Sequence, residues 1–211
     1  MRPYRLYGRP RTGSFAPEML LSEMRQPYEL VPISAEAARS ATYRRLCPTG
    51  FVPALTLPGG ETLFESAAIC IHLTLAHPAA RLAPQPGSPA HARFLQWMVY
   101  LATGLYGAYR RVYHAEDHCA SGAGATAEEV KARGLADVEA ALGLLSSALE
   151  EGGGPGLLGP LGAADLYLFM LMTWHPKGEA ALCGRYQGLA ELADAVRARP
   201  GLQALIAEHT A

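Results

Sequence analysis

Residues 47–66 read CPTGFVPALTLPGGETLFES, from Cys47 to Ser66, and their reading decides the fold. Pro58-Gly59-Gly60 is a strong turn signal, so Ala54–Leu57 and Glu61–Phe64 are expected to pair as a hairpin. Ser66 then caps a helix that runs to about Ala76. A Val52-Pro53 step just ahead of a strand suits a cis proline. Held cis, it turns the chain so that the backbone N–H and C=O of Val52 face outward, open to an extended peptide added as a strand. The helix start at Ser66 offers unpaired N–H groups and a positive dipole end to a carboxylate. Together these features make a peptide clamp.

Upstream, Arg5-Leu6-Tyr7 is a short strand and Gly8 to Gly13 a turn-rich loop. Ser14 can cap a helix whose buried face carries Phe15, Leu20, Leu21 and Met24, and Pro27 stops it. Tyr28–Pro32 reads as a second strand and Ala35–Leu46 as a weak helix. Downstream, Arg81 to Pro89 has the Pro/Gly content of a linker. Beyond it the signals are helical: Phe94, Trp97, Met98, Leu101 and Leu105 recur at helical spacing, as do Val138, Leu142, Leu145 and Leu149. A third helix spans Ala163 to Trp174, and two short helices follow Gly184. The expected organisation is an α/β domain over 1–80, a linker over 81–89 and an all-helical domain over 90–211.

Composition narrows the function classes. Among 211 residues, 18 Lys and Arg face 19 Asp and Glu, a net charge of -1 with no basic run, so nucleic-acid binding lacks its electrostatic footprint. Half the residues are hydrophobic, enough for a real core. No stretch approaches a membrane span, and the N-terminus has no apolar leader, so a cytoplasmic protein without membrane association is expected. Cys47, Cys70, Cys119 and Cys183 lie far apart and read as free thiols. His114 and His118 have i, i+4 spacing, but Ala115 stands where a zincin carries Glu, and no metal site is expected.

The 47–66 segment resembles the glutathione-site signature of the cytosolic glutathione S-transferases, in their bacterial beta-like form. That pattern runs Asn-Pro-x-Gly-x-Val-Pro-x-Leu, then a hairpin, then Glu-Ser-x-x-Ile. Pro48, Gly50, Val52, Pro53, Leu55, Glu65, Ser66 and Ile69 match it. LGAADLYLF at Leu161–Phe169 is similar to the family's Ser/Thr-x-x-Asp helix cap, with Gly162 in place of the hydroxyl residue and Asp165 retained. The resemblance implies a thioredoxin-like α/β N-terminal domain, an all-α C-terminal domain and glutathione as co-substrate. It also implies a homodimer that conjugates small hydrophobic electrophiles in detoxification. Val52 is expected to pair with the cysteinyl part of glutathione, Pro53 to be cis, and Glu65 and Ser66 to bind the γ-glutamyl end, Ser66 by amide and hydroxyl.

Family members favour the thiolate with a Tyr, Ser or Cys near the first strand or helix. Gly13 stands where beta-like members carry Cys, which leaves Ser14 as the expected activating group, with Tyr7 next and Thr12 third. Phe51 replaces a residue that often helps hold the glycine carboxylate, a role then left to Arg44, Arg45 or another group. Tyr106, Tyr109 and Tyr113 share one helical stripe, from which Tyr106 and Tyr113 are expected to line the electrophile pocket. The same clamp suits isomerisation, dehalogenation or peroxide reduction, and also a non-catalytic binding protein, since the pocket selects the chemistry.

Overall fold

A computed structural model of the chain describes residues 2–119 and 124–210. Met1 and Ala211, the outer limits of the two expected domains, lie outside the described residues. The order begins with β1 (Tyr4–Gly8), α1 (Phe15–Glu23), β2 (Tyr28–Pro32), α2 (Ala41–Arg44), β3 (Ala54–Thr56), β4 (Thr62–Phe64) and α3 (Ser66–Ala76). The strands form one mixed sheet in the order β2-β1-β3-β4. β1 runs parallel to β2 and antiparallel to β3, with Leu6 opposite both Leu30 and Leu55. β3 and β4 close the hairpin that the Pro58-Gly59-Gly60 turn dictates, Leu55 facing Leu63.

The weak helix expected over Ala35–Leu46 is broken in two. A 3-10 turn covers Ala37–Arg39, and Ser40 then adopts an extended backbone from which its hydroxyl accepts the Tyr43 N–H at the start of α2. Ser40 is a good cap and a poor helix interior, which is why the segment splits there.

From Pro89 onward the described residues hold no strand beyond an isolated bridge between Gly156 and Gly159, and the α-helices are α4 (Pro89–Tyr100), α5 (Tyr106–Tyr113), α6 (Ala127–Glu151), α7 (Ala163–Met172), α8 (Glu179–Cys183), α9 (Gln187–Arg197) and α10 (Gln203–Thr210). Ser88 caps α4 with Pro89 in the first turn, and Thr126 with Glu129 forms a capping box on α6. α7 reads AADLYLFMLM and buries all ten residues, as a helix apolar on every side must. It packs against α1, α3 and α4, so one continuous core joins the sheet's helices to the helical part. At about 1.5–3 kcal/mol for each fully buried large apolar side chain, this helix is the chain's main apolar anchor.

α4 and α5 are not separated by a loop. A π-helical turn at Leu101–Leu105 joins them, and this wider turn resets the face that α5 presents. At the other end, α10 docks on α1. His209 Nε2 lies 3.0 Å from Glu18 Oε2, both residues buried, and its ring stacks on Phe15 at 4.2 Å.

Candidate functional site

A cavity of about 930 Å³ opens where the sheet and its loops meet α5. Val52 and Pro53 line it, and the peptide between them is cis. Among the described residues neither backbone polar group of Val52 has a hydrogen-bond partner. An extended peptide laid beside Val52 would satisfy both.

Glu65 and Ser66 line the same cavity at the start of α3. Glu65 holds φ 69°, a left-handed backbone that costs a non-glycine residue about 1–3 kcal/mol and that clusters at functional sites. Its carboxylate makes no capping bond to the helix. Ser66 does not cap the helix by its side chain either, contrary to expectation. It is the first helical residue, and its hydroxyl lies 2.8 Å from Tyr167 Oη on α7. Burial raises the Tyr167 pKa well above its ordinary value, so the phenol stays protonated at neutral pH. The first amides of this helix are open to an anion.

Ser14 is placed differently from expectation. It is 0% exposed and does not line the cavity. Its hydroxyl donates to Arg9 O at 3.0 Å and accepts from Arg9 N at 3.3 Å, and it makes no side-chain cap on α1. Ser14 already has helical φ and ψ, so its side chain is directed back at the preceding loop rather than at the next turn's amides. Tyr7 is also buried away from the cavity, against Tyr43. Thr12 does line the cavity, but its hydroxyl donates to Arg9 O at 2.7 Å. A Cβ built on Gly13 would stand 3.3 Å from Pro53 Cδ, 3.3 Å from Tyr106 Oη and 3.4 Å from Ser66 Oγ.

The helical wall is aromatic. Tyr106 lines the cavity with its ring edge-to-face on Trp174 at 5.0 Å. Burial is the main cause of a raised Tyr106 pKa, with Arg110 and Arg9 pulling it down and Glu65 pushing it up. Tyr109 is the buried member of the stripe, packed against Tyr113 and Trp174, and it too borders the cavity. Tyr113, at the cavity's exposed end, donates its hydroxyl to Trp174 O. Opposite them Phe51 is 56% exposed, and the Arg110 guanidinium lies over its ring at 4.9 Å. This contact links the two sides of the mouth.

Arg44 and Arg45 do not line the cavity, whereas Arg9, Arg11 and Arg39 do. Arg44 instead folds across Gly50, where a Cβ would meet its Nε at 3.3 Å. Reading by segment missed Arg39, Tyr167 and Trp174, because none belongs to the 47–66 stretch. The visible hint for Tyr167 was its phenol tip between the apolar residues Leu166 and Leu168.

Asp165 sits at the start of α7, buried, and accepts from Gly162 N and Leu157 N, each at 2.8 Å. Burial raises its pKa to about 6, against the pull of these amides. Gly162 is more than a missing hydroxyl. A Cβ there would stand 2.7 Å from Leu82 O, the carbonyl that accepts the Ala163 N–H at 2.7 Å. Backbone from the segment after α3 has taken over the cap. Among the described residues no group of three or more His, Cys, Asp or Glu converges as metal ligands, and no helix is long and apolar enough to cross a membrane.

The family described as the glutathione S-transferase N-terminal domain matches residues 14–75. A glutathione S-transferase of Escherichia coli O157:H7, GstA, is 27% identical over 81% of each chain. A GST-like protein of Escherichia coli K12, YncG, is 28% identical over 96% of each. Among solved structures, a sphingomonad glutathione S-transferase complexed with glutathione is 28% identical, with a TM-score of 0.80 over 98% of this chain and 100% of that one. A glutathione transferase homologue from Sulfitobacter shares the fold with a TM-score of 0.85 over the full length of both chains, at 24% identity.

Proposed function

Because the chain belongs to the glutathione S-transferase family, we propose that it is a glutathione transferase, binding glutathione against Val52 and attacking a small hydrophobic electrophile with its sulfur. The observation that carries the reading is the convergence, on one cavity, of the unpaired Val52 backbone, the Glu65–Ser66 helix start and the aromatic wall of α5. In this reading the cysteinyl backbone pairs with Val52 beside Pro53. The free Glu65 carboxylate meets the γ-glutamyl ammonium, and the amides of Ser66 and its neighbour meet the γ-glutamyl carboxylate. Arg9 or Arg39 takes the glycine carboxylate. Tyr106 and Tyr113 face the electrophile.

The division at 81–89 between a glutathione half and an electrophile half is part of the same proposal, as are a cytoplasmic location and a role in detoxification. So is a homodimer with the first domain of each chain against the second of its partner. Exposed apolar side chains occur in both halves, among them Phe64 on β4 and Val99 on α4, and such a pairing would cover some of them. A monomer by light scattering would contradict it.

Calorimetric titration with glutathione, followed by a conjugation assay with an activated chloroarene, tests the function. Saturable binding with turnover supports it. Binding without turnover against a panel of haloalkanes, enones and peroxides favours a binding protein, a reading that Gly13 and the buried Ser14 make specific. Absence of glutathione binding overturns both.

A further inference from the structure

Of the three side chains expected to activate the thiol, Ser14, Tyr7 and Thr12, only Thr12 borders the cavity. Gly13 has no side chain, Ser14 and Tyr7 lie off the cavity, and the Thr12 hydroxyl is held within its own loop, 2.7 Å from Arg9 O and 3.0 Å from Ser14 Oγ. Yet the point where a side chain at position 13 would begin is surrounded at contact distance by Pro53 Cδ, Ser66 Oγ and Tyr106 Oη. Of these only Tyr106 Oη is a hydroxyl with no hydrogen-bond partner among the described residues, since Ser66 is bonded to Tyr167. Tyr106 is the first residue after the π-helical turn at Leu101–Leu105, it lines the cavity, and Trp174 packs edge-on against its ring.

We propose that Tyr106, from the helical half of the molecule, is the catalytic hydrogen-bond donor to the glutathione sulfur, occupying the space that the absent side chain at Gly13 leaves open. The proposal rests on the glutathione-transferase reading above and gives that site its activating group. A cysteinyl residue paired in extended form with Val52 carries its side chain into the gap between Pro53, Gly13 and Tyr106. The thiol proton leaves to water. The Tyr106 proton stays on its oxygen and is shared with the thiolate, and the N-terminal end of α1 adds its dipole behind Gly13. The thiolate then forms the C–S bond while the electrophile's leaving group departs with its bonding pair, or an acceptor carbon takes up the electrons and is protonated by water. Burial keeps the phenol protonated at neutral pH, the state this role needs.

The test is the ultraviolet thiolate absorbance of bound glutathione across pH, in wild type, Tyr106→Phe and Thr12→Val, with S-methylglutathione titrated in parallel. Loss of a charge-assisted hydrogen bond should raise the bound thiol's pKa in Tyr106→Phe by about 1–2 pH units and lower turnover at neutral pH about tenfold or more. S-methylglutathione, which forms no thiolate, should bind wild type and Tyr106→Phe within about twofold, on the expectation that the lost bond acts only on the charged sulfur. Glutathione binding with an unchanged thiol pKa in Tyr106→Phe overturns the proposal and leaves the transferase reading standing. A rise in Thr12→Val alone, or equal loss of S-methylglutathione in Tyr106→Phe, also overturns it. Failure of the wild type to bind glutathione at all removes the transferase reading itself.

Discussion

Ser66 Oγ on α3 and Tyr167 Oη on α7 lie 2.8 Å apart, both residues buried, and this hydrogen bond ties the helix that begins at the cleft to the core helix of the second half. It joins residues 101 positions apart in the chain. Tyr167→Phe leaves the Ser66 hydroxyl without that partner beside the cavity. Urea unfolding should show a loss of about 1–2 kcal/mol. Unchanged stability would mean that the hydroxyl finds another acceptor.

Glu65 couples an unfavourable backbone to an available carboxylate. Glu65→Gly accepts φ 69° freely, whereas Glu65→Ala keeps the strain. The glycine variant should therefore be the more stable of the two by about 1 kcal/mol, while both lose glutathione affinity about tenfold or more. Calorimetry and urea unfolding together read the two effects. Equal stabilities would remove the strain argument, and intact affinity would remove the carboxylate from the site.

Gly162→Ser places a hydroxyl at the N-cap of α7, and by propensity alone it should help. The close approach of Leu82 O, 2.7 Å from any Cβ at 162, reverses the sign. A loss of about 1–3 kcal/mol is expected, the usual cost of overpacking. A gain in melting temperature would show that the segment after α3 yields easily.

Asp165 has a folded pKa of about 6 against an ordinary 3.8. The folded state thus holds its proton more tightly than the unfolded chain. The resulting stability is full below pH 3.8 and is lost as pH rises through 6, an effect of about 3 kcal/mol. Wild type should lose stability relative to Asp165→Asn across that window, by urea unfolding at fixed ionic strength. A difference that stays flat, or that slopes the other way, contradicts the burial-dominated shift.

Much of this architecture is written in short segments. The hairpin follows from Pro58-Gly59-Gly60, the cis peptide from Val52-Pro53, and the helices from their periodicities, because turn chemistry and periodicity act over a few residues. Only the tertiary structure decided which hydroxyls face the cleft. Ser14 and Tyr106 are both plausible from sequence, but Ser14 is turned into its own loop, whereas Tyr106 is carried across from the other half on a helix reset by a π turn. The same holds for Ser66, whose partner Tyr167 comes from α7, and for Gly162, whose role is set by a backbone carbonyl of Leu82. Where side-chain direction depends on packing between distant helices, spacing along the chain supplies the candidates, and contact between the two halves selects among them.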